Sequence, residues 1–175
     1  MKEKQIKRNA VYTCDFLEVF EDDVLLPSKE EGKRVVIEHI GAAAVLPLLS
    51  TGEVVLIKQY RYSVDAYMLE IPAGKKDFKE ELGIDCAMRE LEEEANLVSE
   101  DVCLLAKVHT AIGFTDEMIE VFVAYDCTFK AEAREVDPDE YIELVKVPLS
   151  EAKAMARDGR ITDAKTVVAL LMIEK

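Results

Sequence analysis

Apolar residues along this chain follow two periods, and the changes between them predict the order of its elements. Nine short segments alternate or are continuously apolar, as strands are, at residues 11–20, 24–26, 34–40, 42–49, 54–60, 67–71, 102–109, 118–129 and 141–147. Three longer segments repeat apolar residues at helical spacing, at residues 84–96, 149–157 and 162–173. The mixed order predicts an α/β or α+β domain, with a mixed β-sheet sandwiched between helices.

Turn signals divide these segments from one another. Residues 1–9 are polar and predict a frayed terminus, and Glu21-Asp22-Asp23 predicts a turn between the first two strands. Further along, Ser50-Thr51-Gly52 separates two apolar runs, which predicts a β-hairpin whose strands are buried on both faces.

The helix predicted at 84–96 has one acidic face and one apolar face. The apolar face is expected to pack against the sheet and consists of Ala87, Met88, Leu91 and Ala95. Asp85 suits the N-terminal cap or first turn, and Asn96 suits the left-handed conformation that often ends a helix.

Composition and charge narrow the class of protein. The chain has 175 residues, of which half are hydrophobic and a third are charged, a balance typical of a globular domain. It carries 22 Lys and Arg against 36 Asp and Glu, for a net charge of −14. This acidity argues against nonspecific binding to nucleic acid or to an anionic membrane. An anionic substrate would need metal ions and local arginines to overcome the overall field.

The cysteines and the N-terminus bear on the cellular compartment. The four cysteines show no C-x-x-C spacing, so buried free thiols are expected rather than structural zinc or a redox pair. The first residues are charged, and no apolar segment of signal-peptide or membrane-spanning length is visible. We therefore expect a cytoplasmic protein.

The densest charge cluster is Arg89-Glu90-Leu91-Glu92-Glu93-Glu94. Glu90, Glu93 and Glu94 share a helix face, where like charges destabilise an isolated helix by about 0.2–0.5 kcal/mol per pair. A divalent cation would relieve that repulsion, and carboxylate oxygens suit Mg²⁺ or Mn²⁺. Taken alone, a solvated acidic face is the commoner explanation, so the choice depends on the rest of the chain.

The segment from Gly74 to Leu97 resembles the Nudix box, G-x5-E-x7-R-E-U-x-E-E-x-G-U, in which U is a bulky aliphatic residue. The positions that match its C-terminal half are Arg89, Glu90, Leu91, Glu93, Glu94, Ala95 and Leu97. Asn96 replaces the usual glycine, a tolerable change because asparagine also adopts the left-handed conformation.

The spacing in the first half of the box differs from the family pattern by one residue. Counting back from Arg89 puts the early glutamate at Glu81 and the glycine at Lys75, whereas the glycine here is Gly74. One residue is therefore inserted in the loop, and either Glu80 or Glu81 could fill the early acidic position.

The resemblance extends to one branch of the family. Segments similar to the ADP-ribose pyrophosphatase branch are Gln59-Tyr-Arg61, Leu69-Glu-Ile-Pro-Ala-Gly74, Gly113-Phe-Thr-Asp-Glu117 and Asp163-Ala-Lys-Thr166. Ile112 departs from it, because that branch usually has proline before the Gly-Phe pair. The resemblance implies a Nudix fold with an N-terminal antiparallel β extension over residues 1–40, expected to build a homodimer, and a Nudix hydrolase domain over residues 41–175.

A site for Mg²⁺ or Mn²⁺, holding more than one ion, is also implied by the resemblance. Glu90 and Glu94 are the expected ligands, and Glu93 lies beside them as a further ligand or a partner of ordered water. The backbone carbonyl of Ala73 is another implied ligand. Arg89 is expected to orient Glu93 through a charge-assisted hydrogen bond, the alternative being an ordinary surface salt bridge.

The resemblance also implies that the catalytic base comes from an acidic loop beyond the box, which here is the loop at residues 130–140. Its candidates are Asp137, Asp139 and Glu140, with Glu140 also placed to complete the metal shell. Glu117 is an outside candidate. A solvated loop is nearly as good an explanation for any one of these acids.

Substrate contacts are expected from Arg61, Glu70, Phe114 and Glu117. Arg61 would bind diphosphate oxygens bidentately, unless it is a solvent-facing loop residue. Aromatic residues that could stack on adenine, or belong to the core or an interface, are Tyr60, Tyr62 and Phe114. The two histidines, at positions 39 and 109, have no ligand partner at metal spacing and are expected to be structural.

The implied function is metal-dependent hydrolysis of ADP-ribose to AMP and ribose 5-phosphate. The alternatives are the same chemistry on another nucleoside diphosphate sugar or dinucleotide, and a non-catalytic domain that senses a nucleotide. The three glutamates of the box argue against a silent domain, because loss of those acids would be its first sign.

Overall fold

The protein divides into two compact units in the computed structural model, which describes residues 2–131 and 141–174. The first unit comprises Met1–Gly41 and His109–Met118, and the second comprises Ala42–Val108 and Ile119–Lys175. Within the described ranges, no helix combines the length and apolar character needed to cross a membrane.

Eleven strands and three α-helices are found in the described residues. The strands are β1 (Lys4–Thr13), β2 (Leu17–Leu25), β3 (Glu31–His39), β4 (Ala42–Leu49), β5 (Glu53–Arg61), β6 (Ala66–Glu70), β7 (Ala73–Lys75), β8 (Leu97–Val98), β9 (Asp101–His109), β10 (Met118–Phe129) and β11 (Glu143–Pro148). The helices are α1 (Gly83–Ala95), α2 (Leu149–Asp158) and α3 (Ala164–Met172).

The first unit is an antiparallel sheet in the order β1-β2-β3, which confirms the expected N-terminal β extension. The segment His109–Met118 lies along β3. The Ile37 N–H donates to the Phe114 carbonyl at 2.7 Å, and the Asp116 N–H donates to the Ile37 carbonyl at 3.1 Å.

Two expectations about this unit are wrong. The polar terminus forms β1 instead of fraying, and Glu21-Asp22-Asp23 lies inside β2 instead of forming a turn. Cross-strand pairing explains both, because Arg8 in β1 donates to the Asp22 carboxylate from Nε at 3.0 Å and from Nη2 at 2.8 Å. Gln5 adds a third hydrogen bond to Asp22 at 3.0 Å. A buried carboxylate with these partners is satisfied in mid-strand.

The second unit is built on a mixed sheet in the order β11-β5-β4-β10-β8, with β6 on β5, β7 on β4 and β9 on β10. β4 is parallel to β10 and antiparallel to its other partners. Successive β4 side chains point to opposite faces, as strand geometry requires. Leu46 joins the core shared with α2 and α3, whereas Val45 joins the core shared with α1. The predicted sandwich and the doubly buried central strand are therefore confirmed.

Helix α1 ends as its sequence predicts. Asn96 is the C-cap, with φ 52° and ψ 37°, and its backbone N–H donates to the Glu92 carbonyl at 3.0 Å. Asp85 lies in the first turn rather than at the N-cap, which is Leu82. Position 96, which adopts the left-handed conformation here, is the position at which the family pattern has glycine.

This geometry predicts different effects on stability for two substitutions of Asn96. We expect Asn96→Ala to lower the free energy of unfolding by about 1 kcal/mol, because a Cβ without a compensating polar group is strained in the left-handed region. Asn96→Gly should leave the free energy unchanged or raise it slightly, since the strain is removed together with a buried Oδ1 that has no hydrogen-bond partner among the described residues. Urea unfolding measures both variants, and an alanine variant as stable as wild type would contradict the assignment.

The cysteines are only partly as expected. Cys86 and Cys127 are buried, Cys14 is intermediate and Cys103 is exposed, and no disulfide joins them. Burial raises the pKa of Cys86 and of Cys127 to about 11.

We therefore expect selective alkylation of the native protein by iodoacetamide at pH 8. Because the thiolate is the nucleophile, Cys86 and Cys127 should react about 10²-fold more slowly than Cys103. Mass spectrometry of the digested protein reads out each site, and a Cys103→Ser variant should lose the fast-reacting site. Labelling of Cys86 at the rate of Cys103 would show that its burial does not persist in solution.

Candidate active site

Strand β7 and helix α1 bring the predicted acidic residues together. β7 pairs with β4, with Ala73 opposite Ala44 and Gly74 opposite Ala43. Helix α1 packs its apolar side on the same sheet, through residues that include Ala87 and Leu91. This packing holds the acidic residues of α1 beside β7.

Glu90 and Glu94 are buried, each with 8% of its surface exposed. The Glu94 carboxylate accepts a hydrogen bond from the Ala73 backbone N–H at 2.7 Å. Carboxylates are almost never buried unless they are paired, hydrogen-bonded or bound to a metal. The solvated-face explanation therefore does not apply to these two residues.

Gly74 lies against the Glu90 carboxylate. A Cβ added at position 74 would lie 1.9 Å from Glu90 Oε1 and 2.3 Å from its Cδ, distances that no side chain can occupy. A side chain at position 74 would therefore displace the Glu90 carboxylate, and the glycine that looked one residue out of register leaves room for it between β7 and α1.

Arg89 ties the acidic residues to the preceding loop. Its Nη1 donates to Glu90 Oε1 at 2.6 Å and to Glu93 Oε2 at 3.2 Å, and its Nη2 donates to the Lys75 carbonyl at 3.1 Å. Burial alone would lower the pKa of Arg89, but the Glu90 charge and other nearby groups raise it above its ordinary value. The guanidinium thus stays charged, and it holds two box glutamates.

The ambiguity at the early acidic position also has a structural answer. Glu81 lies beside Arg89, with its Oε1 3.7 Å from Nη2. Its other oxygen accepts a hydrogen bond from the Asp77 N–H at 2.7 Å. Glu80 is exposed. The inserted residue is thus accommodated in the loop before Glu81.

The donor set can be tested against a divalent ion. Among the described residues, no three His, Cys, Asp or Glu side chains are arranged so that they could together hold a metal. Mg²⁺ usually binds through one or two carboxylates, keeps several waters and takes further oxygens from substrate phosphates. Glu90 and Glu94, the latter bound to the Ala73 backbone N–H, fit that mode of binding.

Arg61 and Glu70, both expected to contact substrate, bind each other. Arg61 donates to the Glu70 carboxylate from Nε at 2.7 Å and from Nη2 at 2.8 Å, and Lys165 donates to it at 2.5 Å. Burial would raise the pKa of Glu70, but these partners hold it below its ordinary value. Two of the five N–H groups of Arg61 are therefore engaged within the protein.

Phe114 and Glu117 belong to the other compact unit. The Phe114 side chain is exposed. Glu117 accepts a hydrogen bond from the Thr110 hydroxyl at 2.6 Å and lies 3.7 Å from His39 Nε2. His39 also accepts a hydrogen bond from the Gly41 N–H at 3.0 Å, a structural contact.

The remaining candidates are the acids of the 130–140 loop and the tyrosines that could stack on adenine. Asp137, Asp139 and Glu140 lie outside the described residues. The exposed Tyr60 donates from its hydroxyl to Asp65 at 2.5 Å and packs edge-on against Tyr67, with ring centroids 5.6 Å apart. Tyr62 is also exposed.

Sequence reasoning missed Lys165. It is 8% exposed and contacts Glu70 and Asp163, although a lysine is ordinarily a surface residue. The available signal was Asp163-Ala-Lys-Thr166, which was matched to the pyrophosphatase branch without a role for any of its residues.

The chain is similar to a known protein family and to several known proteins. The NUDIX domain family model matches residues 38–170. An ADP-ribose pyrophosphatase of Bacillus subtilis is 33% identical over 99% of this chain and 94% of its own length. A methanol dehydrogenase activator of Bacillus methanolicus is 35% identical over 99% of this chain and 93% of its own length.

A solved structure shows the same fold. The crystal structure of an ADP compounds hydrolase superposes with a TM-score of 0.84, covering 98% of this chain and 92% of that one. Its sequence identity is 22%, so this likeness concerns the fold alone.

Proposed function

The chain belongs to the NUDIX family, and on that premise we propose that it hydrolyses the pyrophosphate bond of ADP-ribose, giving AMP and ribose 5-phosphate. The observation that carries the proposal is the buried pair Glu90 and Glu94, of which Glu94 accepts a hydrogen bond from the Ala73 backbone N–H. Similarity to an ADP-ribose pyrophosphatase over almost the whole of both chains supports the choice of substrate.

The cofactor is proposed to be Mg²⁺ or Mn²⁺, with more than one ion per site. When bound, divalent ions neutralise the diphosphate and lower the pKa of a coordinated water. Glu90, Glu94 and the Ala73 carbonyl would hold them, with Glu93 as a further ligand or a partner of ordered water. The contacts of Arg89 with Glu90 and Glu93 support a role in orienting these carboxylates.

The proton acceptor is proposed to come from the acidic loop at residues 130–140, with Asp139 and Glu140 as the leading candidates and Asp137 as a third. Glu117, outside that loop, is a further candidate. A carboxylate there would accept a proton from the attacking water. Individual substitution of each acid by its amide would identify the base by the largest fall in kcat.

Four residues are proposed to bind the substrate, three by direct contact and Glu70 through Arg61. Arg61 retains three N–H groups beyond those bound to Glu70, and these would donate to diphosphate oxygens. Glu70 would contribute by fixing the Arg61 guanidinium. Phe114 is proposed as a stacking surface for adenine, and Glu117 as a polar contact.

The proposed quaternary state is a homodimer in the cytoplasm, with residues 1–40 as the dimerisation element and residues 41–175 as the hydrolase domain. The first unit exposes large apolar residues that a partner could cover, namely Ile6, Val11, Tyr12 and Val35. Light scattering of the purified protein measures the mass directly, and a monomer at micromolar concentration would exclude a stable dimer.

The substrate proposal is tested by incubating the protein with Mg²⁺ and a panel of nucleoside diphosphate compounds. The panel includes ADP-ribose, ADP-glucose, GDP-mannose and NAD, and chromatography separates the products. We expect AMP and ribose 5-phosphate from ADP-ribose, with the highest kcat/KM of the panel. Preference for another member would move the assignment to that compound, whereas binding without turnover would favour a nucleotide-sensing domain.

A further inference from the structure

The start of α3 has more hydrogen bonds than a helix end requires. Asp163 is the N-cap, and its Oδ2 accepts from the Thr166 backbone N–H at 3.1 Å. That bond alone is an ordinary cap. The same oxygen also accepts from the Thr166 hydroxyl at 2.6 Å, which fixes the direction of that hydroxyl.

Thr166 uses its fixed hydroxyl to bind a distant part of the chain. The residue is fully buried, and its Oγ1 accepts a hydrogen bond from the Ile71 backbone N–H at 2.9 Å. Because the hydroxyl hydrogen points to Asp163, a lone pair is available for Ile71. A side chain 95 positions away thus satisfies a buried backbone donor.

Ile71 lies in the short gap between two strands. β6 ends at Glu70 on its partner β5, and β7 begins at Ala73 on its partner β4. The Pro72 carbonyl accepts from the Val45 N–H at 2.9 Å, but proline has no N–H of its own. The Thr166 contact thus fixes the backbone of this segment between the two strands.

Lys165 holds the other side of the crossing. Its Nζ lies 2.5 Å from Glu70 Oε2 and 3.1 Å from Asp163 Oδ1. Glu70 is 2% exposed and Lys165 is 8% exposed. Buried ion pairs add little net stability, because desolvation offsets the attraction, whereas their geometry can fix a structure. The pair anchors the last residue of β6 to the start of α3.

The next contact along the chain belongs to the active site. Two residues after Ile71, the Ala73 N–H donates to Glu94 Oε2 at 2.7 Å. We propose that Asp163, Lys165 and Thr166 are positioning residues that hold residues 70–73 so that Ala73 sets the Glu94 carboxylate for metal binding. The inference rests on the proposed function.

The test compares Thr166→Val with Thr166→Ser. Valine keeps the shape and removes the hydroxyl, whereas serine keeps the hydroxyl. Partners that orient metal ligands are worth about 10–100-fold in affinity or activity, so Thr166→Val should weaken Mn²⁺ binding at least about 10-fold. Electron paramagnetic resonance of free Mn²⁺ measures this without substrate. Thr166→Ser should restore binding to within about twofold of wild type.

A kinetic measurement separates positioning from substrate binding. Thr166→Val should raise the Mg²⁺ concentration needed for half-maximal turnover by a similar factor, with little change in the KM for ADP-ribose at saturating metal. Thr162→Val is the matched control, because Thr162 is an exposed neighbour that takes the same chemical change. It should leave both quantities unchanged.

Asp163→Asn provides a second variant if Thr166→Val fails to fold, since asparagine still caps a helix but loses the charge opposite Lys165. It should weaken Mn²⁺ binding in the same direction. Wild-type Mn²⁺ affinity in the folded variants would overturn the positioning role while the proposed function stands. A wild-type protein that neither binds Mn²⁺ nor hydrolyses any diphosphate compound would overturn both.

Discussion

Glu94→Gln should remove most of the activity while the protein remains folded. The substitution keeps an oxygen that can accept from the Ala73 N–H, now 2.7 Å from Glu94, but removes the charge that would bind a cation. Loss of a metal ligand removes several kcal/mol of charge stabilisation from the transition state. We therefore expect kcat to fall by a factor of roughly 10²–10³. Steady-state hydrolysis of ADP-ribose at saturating Mg²⁺ measures it.

The same Glu94→Gln substitution should raise the free energy of unfolding of the metal-free protein, although it lowers activity. Glu90 and Glu94 are like charges one turn apart, so removing one should stabilise the metal-free protein by a few tenths of a kcal/mol. Added Mg²⁺ should raise the Tm of wild type but have little effect on the variant, because a ligand stabilises only the state that it binds.

Glu92→Gln is the matched control on the same helix. Glu92 pairs with Lys130 at 2.6 Å and takes no part in the proposed site. Its neutralisation should change kcat by less than about twofold, since a partly exposed salt bridge contributes little. Near wild-type turnover in Glu94→Gln, or an equal loss in Glu92→Gln, would show that charge at position 94 has no special role.

Gly74→Ala should cost activity through displacement of Glu90. The new Cβ would occupy the space of the carboxylate, 1.9 Å from Oε1, so either β7 or the Glu90 side chain must shift. A misplacement of about 1 Å near the chemistry can lower the rate by about 10²-fold. We expect a fall in kcat of that order, together with weaker Mn²⁺ binding.

Gly32→Ala tests whether any added methyl group has this effect. Its Cβ would meet the end of the Leu26 side chain at 3.3 Å, which can adjust by a small rotation. Activity should therefore stay near the wild-type value. A fully active Gly74→Ala variant with unchanged Mn²⁺ affinity would mean that Glu90 is not held where the structure places it.

Local patterns were sufficient to predict the longer elements of the second unit, but they missed the short strands β7 and β8. The apolar run of β4 is buried on both faces, β10 has the predicted bounds, and α1 begins one residue before the predicted position. Each of these depends on periodicity or on a capping residue, and both signals lie within a few positions of the element itself.

The N-terminal unit shows where local patterns fail. The acidic run at residues 21–23 predicts a turn by composition, but Arg8 satisfies Asp22 from the neighbouring strand. Composition describes what a residue favours in isolation, whereas a partner fourteen residues away decides what it does in the fold.

By itself, the sequence determined that Glu90 and Glu94 share one helix face, since that follows from helical spacing. Only the tertiary structure decided that this face is buried, that Gly74 lies against the Glu90 carboxylate, and that Glu81 rather than Glu80 lies beside Arg89. The tertiary structure also shows that Arg61 pairs with Glu70 and that Thr166 accepts a hydrogen bond from Ile71. Spacing along a helix is a local property, whereas these contacts arise when separate elements close onto one sheet.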